Sequence, residues 1–342
     1  MALSDRLRPQ PRILVAIAVL ILLLIGAGLW MNLARAPVPP APVALTIALP
    51  VQVAATALFV AQDRHLFPKH GLAVTLRPFL LGKQALQTVL DGQSDLAIVA
   101  DTPFALAVLR GAPIAALATV FESRHTMAIF ARKDSGITDA ASLAGKKVGT
   151  VVGTNAEYFL DTMFDVHGIE RNASSVVALK PEQLVHALTD SKVDAVTVWN
   201  PDLARLEQDF GERGVTIYGE DFFVYRFLIV GKKSFIDSHP VQVGRILAAI
   251  EESNALIKAE PEPTRTLLGL RLGMAPVLLA RSFDPNDFTL GLDQSLLLAL
   301  SDQTRWAESK QMVPSKSVPD FRDFVRAAPL TALAPEANKI IR

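Results

Sequence analysis

Alternating strand and helix patterns predict an α/β protein with a mostly parallel sheet, built as two successive series. Three observations carry this. Between residues 45 and 120, short apolar runs alternate with helical patterns: strand, helix, strand, helix, strand, helix, strand. A second series of the same kind begins after MAIFA, Met127–Ala131. The chain has 342 residues, enough for two domains or one large α/β unit with ample apolar surface to bury.

Ahead of both series stands ILVAIAVLILLLIGAGLWM, Ile13–Met31, with no charge in it and Arg6, Arg8 and Arg12 before it. At 1.5 Å per residue it spans about 28 Å, close to the roughly 30 Å hydrocarbon core of a bilayer. It is longer than the apolar region of a secretory signal. The basic flank keeps the N-terminus inside and sends the remainder across. The expectation is a cytoplasmic N-terminus, 1–12, a transmembrane helix or long signal segment, 13–31, and a Pro-rich extended spacer, 32–43. Ala34-Arg35-Ala36 has the small-x-small form of a peptidase site, followed at once by Pro37. A cleaved signal and a soluble periplasmic product is therefore the alternative to an uncleaved inner-membrane anchor.

In the first series LTIAL (Leu45–Leu49) reads as a strand ended by Pro50, and the helical pattern after it closes at Gly71, a C-cap position. AVTLRPF is the next strand and GKQALQTVLDGQ a short helix. DLAIVA is a buried strand that breaks at Asp101-Thr102-Pro103, after which PFALAVLRG is helical and IAALATV is a strand. The second series runs LAGKKVGTVVG, TNAEYFLDTMFDVHG, SVVALK, PEQLVHALTD and VDAVTVW, with FLIVG as a return strand. The remainder reads as helical, Pro240 marking a favourable helix start. The last 30 residues, interrupted by prolines, read as a surface wrap.

Composition excludes several functions. Lys+Arg and Asp+Glu are both 34, and no basic run is interleaved with aromatics, so no nucleic-acid partner is expected. There is no cysteine, which removes disulfides, Cys-ligated zinc, iron–sulfur clusters and thiol catalysis. The six histidines form no HExxH and no cluster with acids, so no metal or other cofactor is expected. His125, in ESRHT, is the one placed where it could touch a ligand or hinge.

Four segments in order, LFPKHGLAVTLRPFLLG, LQTVLDGQSDLAIVADTPFALAVLRGAPI, ARKDSGITDAASLAGKKVGTVVGT and LTDSKVDAVTVWNPDLA, resemble the substrate-binding proteins of ABC importers for nitrate, sulfonate, taurine and thiamine precursors. This is the SsuA/THI5-like, or NMT1-like, family. The resemblance covers residues 45–260 well and the helical remainder more loosely. It implies the type II periplasmic-binding-protein fold, two α/β lobes around a ligand cleft. Lobe 1 would be 44–131 and 226–342 and lobe 2 132–225, with crossovers near Met127–Arg132 and Arg226–Val230. It also implies a periplasmic, monomeric solute carrier with no catalysis, whose partners are a small solute, an ABC permease and its ATPase, and, through the N-terminal helix, the inner membrane. The solute would be small and polar or anionic: sulfonate, nitrate or pyrimidine-like. A membrane-tethered sensing domain is the alternative. A thiamine-precursor enzyme is a more distant one, since the resemblance ties that activity to a cysteine-rich motif absent here.

In open α/β sheets ligands sit beyond the C-terminal ends of the strands. That rule selects Gln52, Gly82, Lys83, Asp101, Thr102, Gly153, Thr154, Asn155, Trp199 and Asn200. Gly153-Thr154-Asn155 is the strongest anion candidate, because glycine lets the backbone approach and a helix start offers free N–H groups. A plain helix cap by Thr154 or Asn155 is equally compatible. Lys83 supplies a cation, although a solvated lysine is the common case. At the Asp-Thr-Pro break Thr102 is the better donor, whereas Asp101 would repel an anion unless it meets an amine or an internal partner. Trp199 offers a flat apolar wall and one N–H, or simple core packing. Many members of the resembled family carry an acid where this chain has Asn200, which leaves anionic ligands possible. Phe222, with Phe223 and Tyr225, lies where it could line an apolar pocket.

Overall fold

A computed structural model describes residues 11–33, 42–170, 176–313 and 318–341. The chain divides into two compact units, Met1–Ala41 and Pro42–Arg342.

In the first unit Pro11–Leu33 form helix α1. Its described side chains run from residue 15 to 27 with 29 and 30, and Val15, Leu22 and Trp30 among them are exposed. Crossing a bilayer takes about 20 apolar residues, and among the described residues no helix is long and apolar enough to do so. The expected span, 13–31, extends beyond these side chains at both ends. Residues 1–10 and 34–41, which hold most of the expected cytoplasmic segment and spacer and the Ala34-Arg35-Ala36 site, lie outside the described residues.

The second unit holds two sheets. Its chain order begins β1 (Val43–Pro50), α2 (Thr56–Asp63), α3 (Leu66–Lys69), β2 (Leu72–Phe79), α4 (Gly82–Leu90), β3 (Leu96–Ala100), α5 (Asp101–Leu109) and β4 (Ile114–Ser123). It then passes through β5 (Met127–Arg132), β6 (Val148–Thr150), α6 (Asn155–Val166), β7 (Val176–Ala178), α7 (Leu184–Thr189), β8 (Ala195–Trp199), α8 (Asp202–Phe210) and β9 (Gly214–Ile217). The return comprises β10 (Tyr225–Lys232), α9 (Lys233–Ser238), α10 (Pro240–Ala259), α11 (Pro261–Leu272), α12 (Pro276–Ser282), β11 (Phe288–Asp293), α13 (Gln294–Ser309), α14 (Ala328–Leu333) and β12 (Asn338–Lys339).

The first sheet has the order β12-β11-β4-β10-β3-β1-β2 and the second β7-β6-β8-β5-β9. LAIVA of β3 is buried at every position, as a strand covered on both faces must be, which is why it reads as a continuous apolar run. β1 pairs parallel with β2 and β3. β10 returns antiparallel between β3 and β4, with Phe227 opposite both Ala100 and Phe121.

Two segments expected as crossovers are strands. MAIFAR is β5, paired antiparallel with β8 and β9 inside the second sheet. Arg226–Val230 lies inside β10 of the first sheet. Both are apolar runs buried on both sides, so each needs ladder partners for its main-chain groups. The chain therefore passes from the first sheet to the second at residues 124–126 and returns between β9 and β10. The C-terminal part is not wholly helical either. FTLGLD forms β11, whose burial alternates residue by residue, and it pairs antiparallel with β4.

Candidate functional site

A narrow cleft lies between the lobes. The first lobe contributes the end of β1 with Gln52, the start of α4 with Gly82 and Lys83, and Pro103 of α5. The second contributes Thr154, Asn155 and Ala156 at the start of α6, and Trp199 at the end of β8. Leu81, Ala100, Met127 and Phe227 supply apolar wall, and Tyr225 also lines the cleft.

Local chemistry fixes these positions. A Cβ on Gly82 would stand 3.1 Å from Val99 Cα and 3.3 Å from the Ile98 carbonyl oxygen. Glycine lets α4 begin directly against β3, and the Gln84 side chain accepts from Leu81 N at 3.1 Å to cap it. Across the cleft, Gly153 takes φ +70°, a conformation that favours glycine. Thr154 is then the N-cap of α6: its Oγ1 accepts from Ala156 N at 3.2 Å and donates to the Val151 carbonyl at 2.7 Å. The starts of α4 and α6, one helix from each lobe, thus line one space, with the Ala156 N–H of α6 already taken by its cap.

Lys83 Nζ reaches the Val152 carbonyl of the opposite lobe at 3.3 Å. Burial lowers the Lys83 pKa and the charge of Glu157 raises it. Glu157 also accepts from Gly153 N at 2.8 Å, so an incoming anion meets a partly neutralised rim. Asn155 Nδ2 donates to Asp101 Oδ1 at 2.5 Å, a second tie between lobes. Gln52 Oε1 is buried without a hydrogen-bond partner. Burial, then the Asp101 charge, pushes the Tyr225 pKa upward, so its hydroxyl stays a neutral donor.

Of the residues expected at a ligand, Gln52, Gly82, Lys83, Thr154, Asn155 and Trp199 line this cleft. Asp101, Thr102, Gly153, Asn200 and Phe222 do not. Asp101 and Thr102 are buried, and Asp101 Oδ1 accepts from Thr102 N at 2.9 Å. Thr102 Oγ1 is buried without a hydrogen-bond partner, and the residue does not line the cleft. Asp101 instead has an internal partner in Asn155. Gly153 lies on an outer groove with Leu86, Gln87 and Arg110. Asn200 is turned away, its Oδ1 accepting from Ala204 N at 3.2 Å. Phe222 borders a different cavity. His125 pairs with Glu220 at 3.3 Å beside the first passage between lobes. Sequence reasoning missed Leu81, Ala100, Met127 and Phe227, which carry no chemical signal beyond being apolar.

A two-lobed α/β molecule with its cleft at opposed helix starts defines the class, a periplasmic-binding-protein fold. The fold is that of the periplasmic aliphatic sulphonate binding protein SsuA from Escherichia coli, with a TM-score of 0.75 at 20% identity over 83% of this chain and 97% of that one. The family follows from the sequence. The model described as NMT1/THI5 like matches residues 52–264, more than half of the chain, and the protein belongs to that family. A chain of Brucella abortus named as a binding protein is 26% identical over 206 residues, 59% of this chain and 63% of that protein. The taurine-binding periplasmic protein of Escherichia coli is 24% identical over 164 residues, 48% of this chain and 51% of that protein. The chain thus spans under two thirds of the length of the curated relatives it matches.

Proposed function

We propose that the protein is the extracytoplasmic solute-binding component of an ABC importer, and that it captures a small organic anion between its lobes for delivery to a permease. The observation that carries this is the meeting of the α4 and α6 N-termini, one from each lobe, beside Lys83. Each helix start carries roughly half a positive charge together with free N–H donors. An anion bound to both gains more when the lobes are closed than when they are apart, so binding and closure are linked. Trp199, Met127 and Phe227 give the cleft an apolar side suited to a short hydrocarbon. An alkanesulfonate or taurine-like solute combines the two features, and the names of the relatives support that class. No bond is made or broken in this reading.

A thermal-shift screen of taurine, short alkanesulfonates, nitrate and pyrimidines on the unit Pro42–Arg342, followed by calorimetry, tests it. A saturable anionic hit that weakens in Thr154→Ala and Trp199→Ala is the expected result. Binding untouched by both substitutions would sink the cleft assignment. We assign the location to the periplasmic face of the inner membrane, with residues 13–31 as an uncleaved anchor. The uncharged run and the arginines before it support this. Alkaline carbonate extraction should leave the protein in the membrane pellet, and release into the supernatant would refute the anchor.

A further inference from the structure

A second cavity, about 670 Å³ of open space, lies beside the cleft but on the other side of the Asp101–Asn155 pair. It is bounded by α13, by the start of β10 and by the segment that leads into it from the second lobe. Two buried acceptors border it without hydrogen-bond partners: Asp101 Oδ2 and Gln303 Oε1. Both residues are 1% exposed. Leaving such atoms unsatisfied is costly, and a carboxylate oxygen can only accept.

The cations at this cavity are already engaged. Arg226 pairs with Glu122 at 2.8 Å and donates to Ser295 Oγ at 2.9 Å. Arg124 donates to the Glu220 carbonyl. Asp221 adds negative charge at the rim, where Asp302 pairs with Arg305, and Tyr158, Phe222 and Phe223 provide aromatic surface. Tyr158 and Phe223 lie with ring centroids 6.4 Å apart. Acceptors with no donor, an acidic rim and aromatic faces are the complement of an alkylammonium group.

We infer that this cavity is a second ligand site, which takes a primary ammonium on a short aliphatic chain through Asp101 Oδ2 and Gln303 Oε1. The ammonium donates to the two oxygens while its chain lies against the aromatic side chains. Burial raises the Asp101 pKa, and the Arg226 charge is the first influence that opposes the rise. The site joins both lobes, since Tyr158 belongs to α6 and Gln303 to α13. An occupant therefore favours the closed arrangement and couples positively to a solute in the cleft.

The test is a titration of the ¹⁵N-labelled whole chain with n-propylammonium chloride, against potassium chloride at matched ionic strength. Saturable shifts are expected at the Gln303 side-chain amide and at the main-chain amides of Phe222, Phe223 and Val224. Asp101→Asn should weaken binding about tenfold, the effect of losing one charge-assisted hydrogen bond. Asp302 is exposed, so Asp302→Lys should fold normally and also weaken binding by placing a cation at the rim. The inference is overturned if n-propylammonium shifts nothing beyond the potassium control, or if neither substitution changes its affinity. Shifts confined to Lys83 and Trp199 would overturn it too, because they would place the amine in the cleft. Anion binding in the cleft is read separately in the same samples, so failure here leaves that reading standing.

Discussion

Gly82→Ala tests the packing that brings α4 to the cleft. The added Cβ would sit 3.1 Å from Val99 Cα, 3.3 Å from the Ile98 carbonyl oxygen and 3.5 Å from Ala100 N. All three are main-chain atoms of a fully buried strand, so no side chain can swing aside. Restoring ordinary contact requires the start of α4 to retreat by a few tenths of an ångström. Overpacking of this kind costs about 1–3 kcal/mol. For a unit of this size that lowers Tm by roughly 2–5 °C. Gly244, inside α10, is the internal comparison: a Cβ there meets nothing within 4 Å and its φ is ordinary. Gly244→Ala should therefore stabilise by about 0.4–1 kcal/mol through loss of unfolded-state freedom. Urea denaturation of both variants beside the parent gives the two numbers. If Gly82→Ala were as stable as the parent, the claim that glycine is required to seat α4 against β3 would fall. If both variants were destabilised alike, a general helix effect would explain them and the contact would not.

Two further outcomes are expected. Burial raises the Asp101 pKa above its ordinary value of 3.8. Between that value and the raised one the folded protein holds a proton that the unfolded chain has released, so this group makes stability fall as pH rises through the window. Asp101→Asn should flatten that part of the profile relative to the parent in urea melts at a series of pH values, and an unchanged profile would show that Asp101 is not the titrating group. Lys83→Met should weaken binding of an anionic solute by about tenfold, the loss of one charged donor, and should reduce the dependence of affinity on salt. Equal affinity at all salt concentrations in calorimetry would remove Lys83 from the site.

The break of DLAIVA at Asp-Thr-Pro shows how far the sequence could be followed. A continuous apolar run ending in capping residues identifies a buried parallel strand and the helix start after it, and both are present. The pattern does not say which way the polar side chains turn. Asp101 accepts from its own helix and from Asn155 of the other lobe, a contact set by residues 54 positions apart in the chain. The same limit hid the roles of Arg226 and Gln303, which matter only because α13 returns to lie near α5. The short strand FTLGLD was absorbed into a helical reading, since six residues give little periodicity to separate the two. MAIFA was expected at a crossover, and its place as a strand depends on pairing with β8 and β9, which a short apolar run between two series does not reveal. Gly82, Lys83, Thr154 and Asn155 were legible because helix starts after buried strands carry a local signature of glycine and capping residues.

The central claim is that an anionic solute bridges the α4 and α6 N-termini. A crystal structure of Pro42–Arg342 with the tightest-binding sulfonate from the screen tests it most directly. The account predicts the sulfonate oxygens within hydrogen-bond reach of the main-chain N–H groups of Gly82 or Lys83 on one side and Asn155 on the other, with the hydrocarbon against Trp199. A sulfonate bound outside the cleft, or held by one lobe alone, would contradict it.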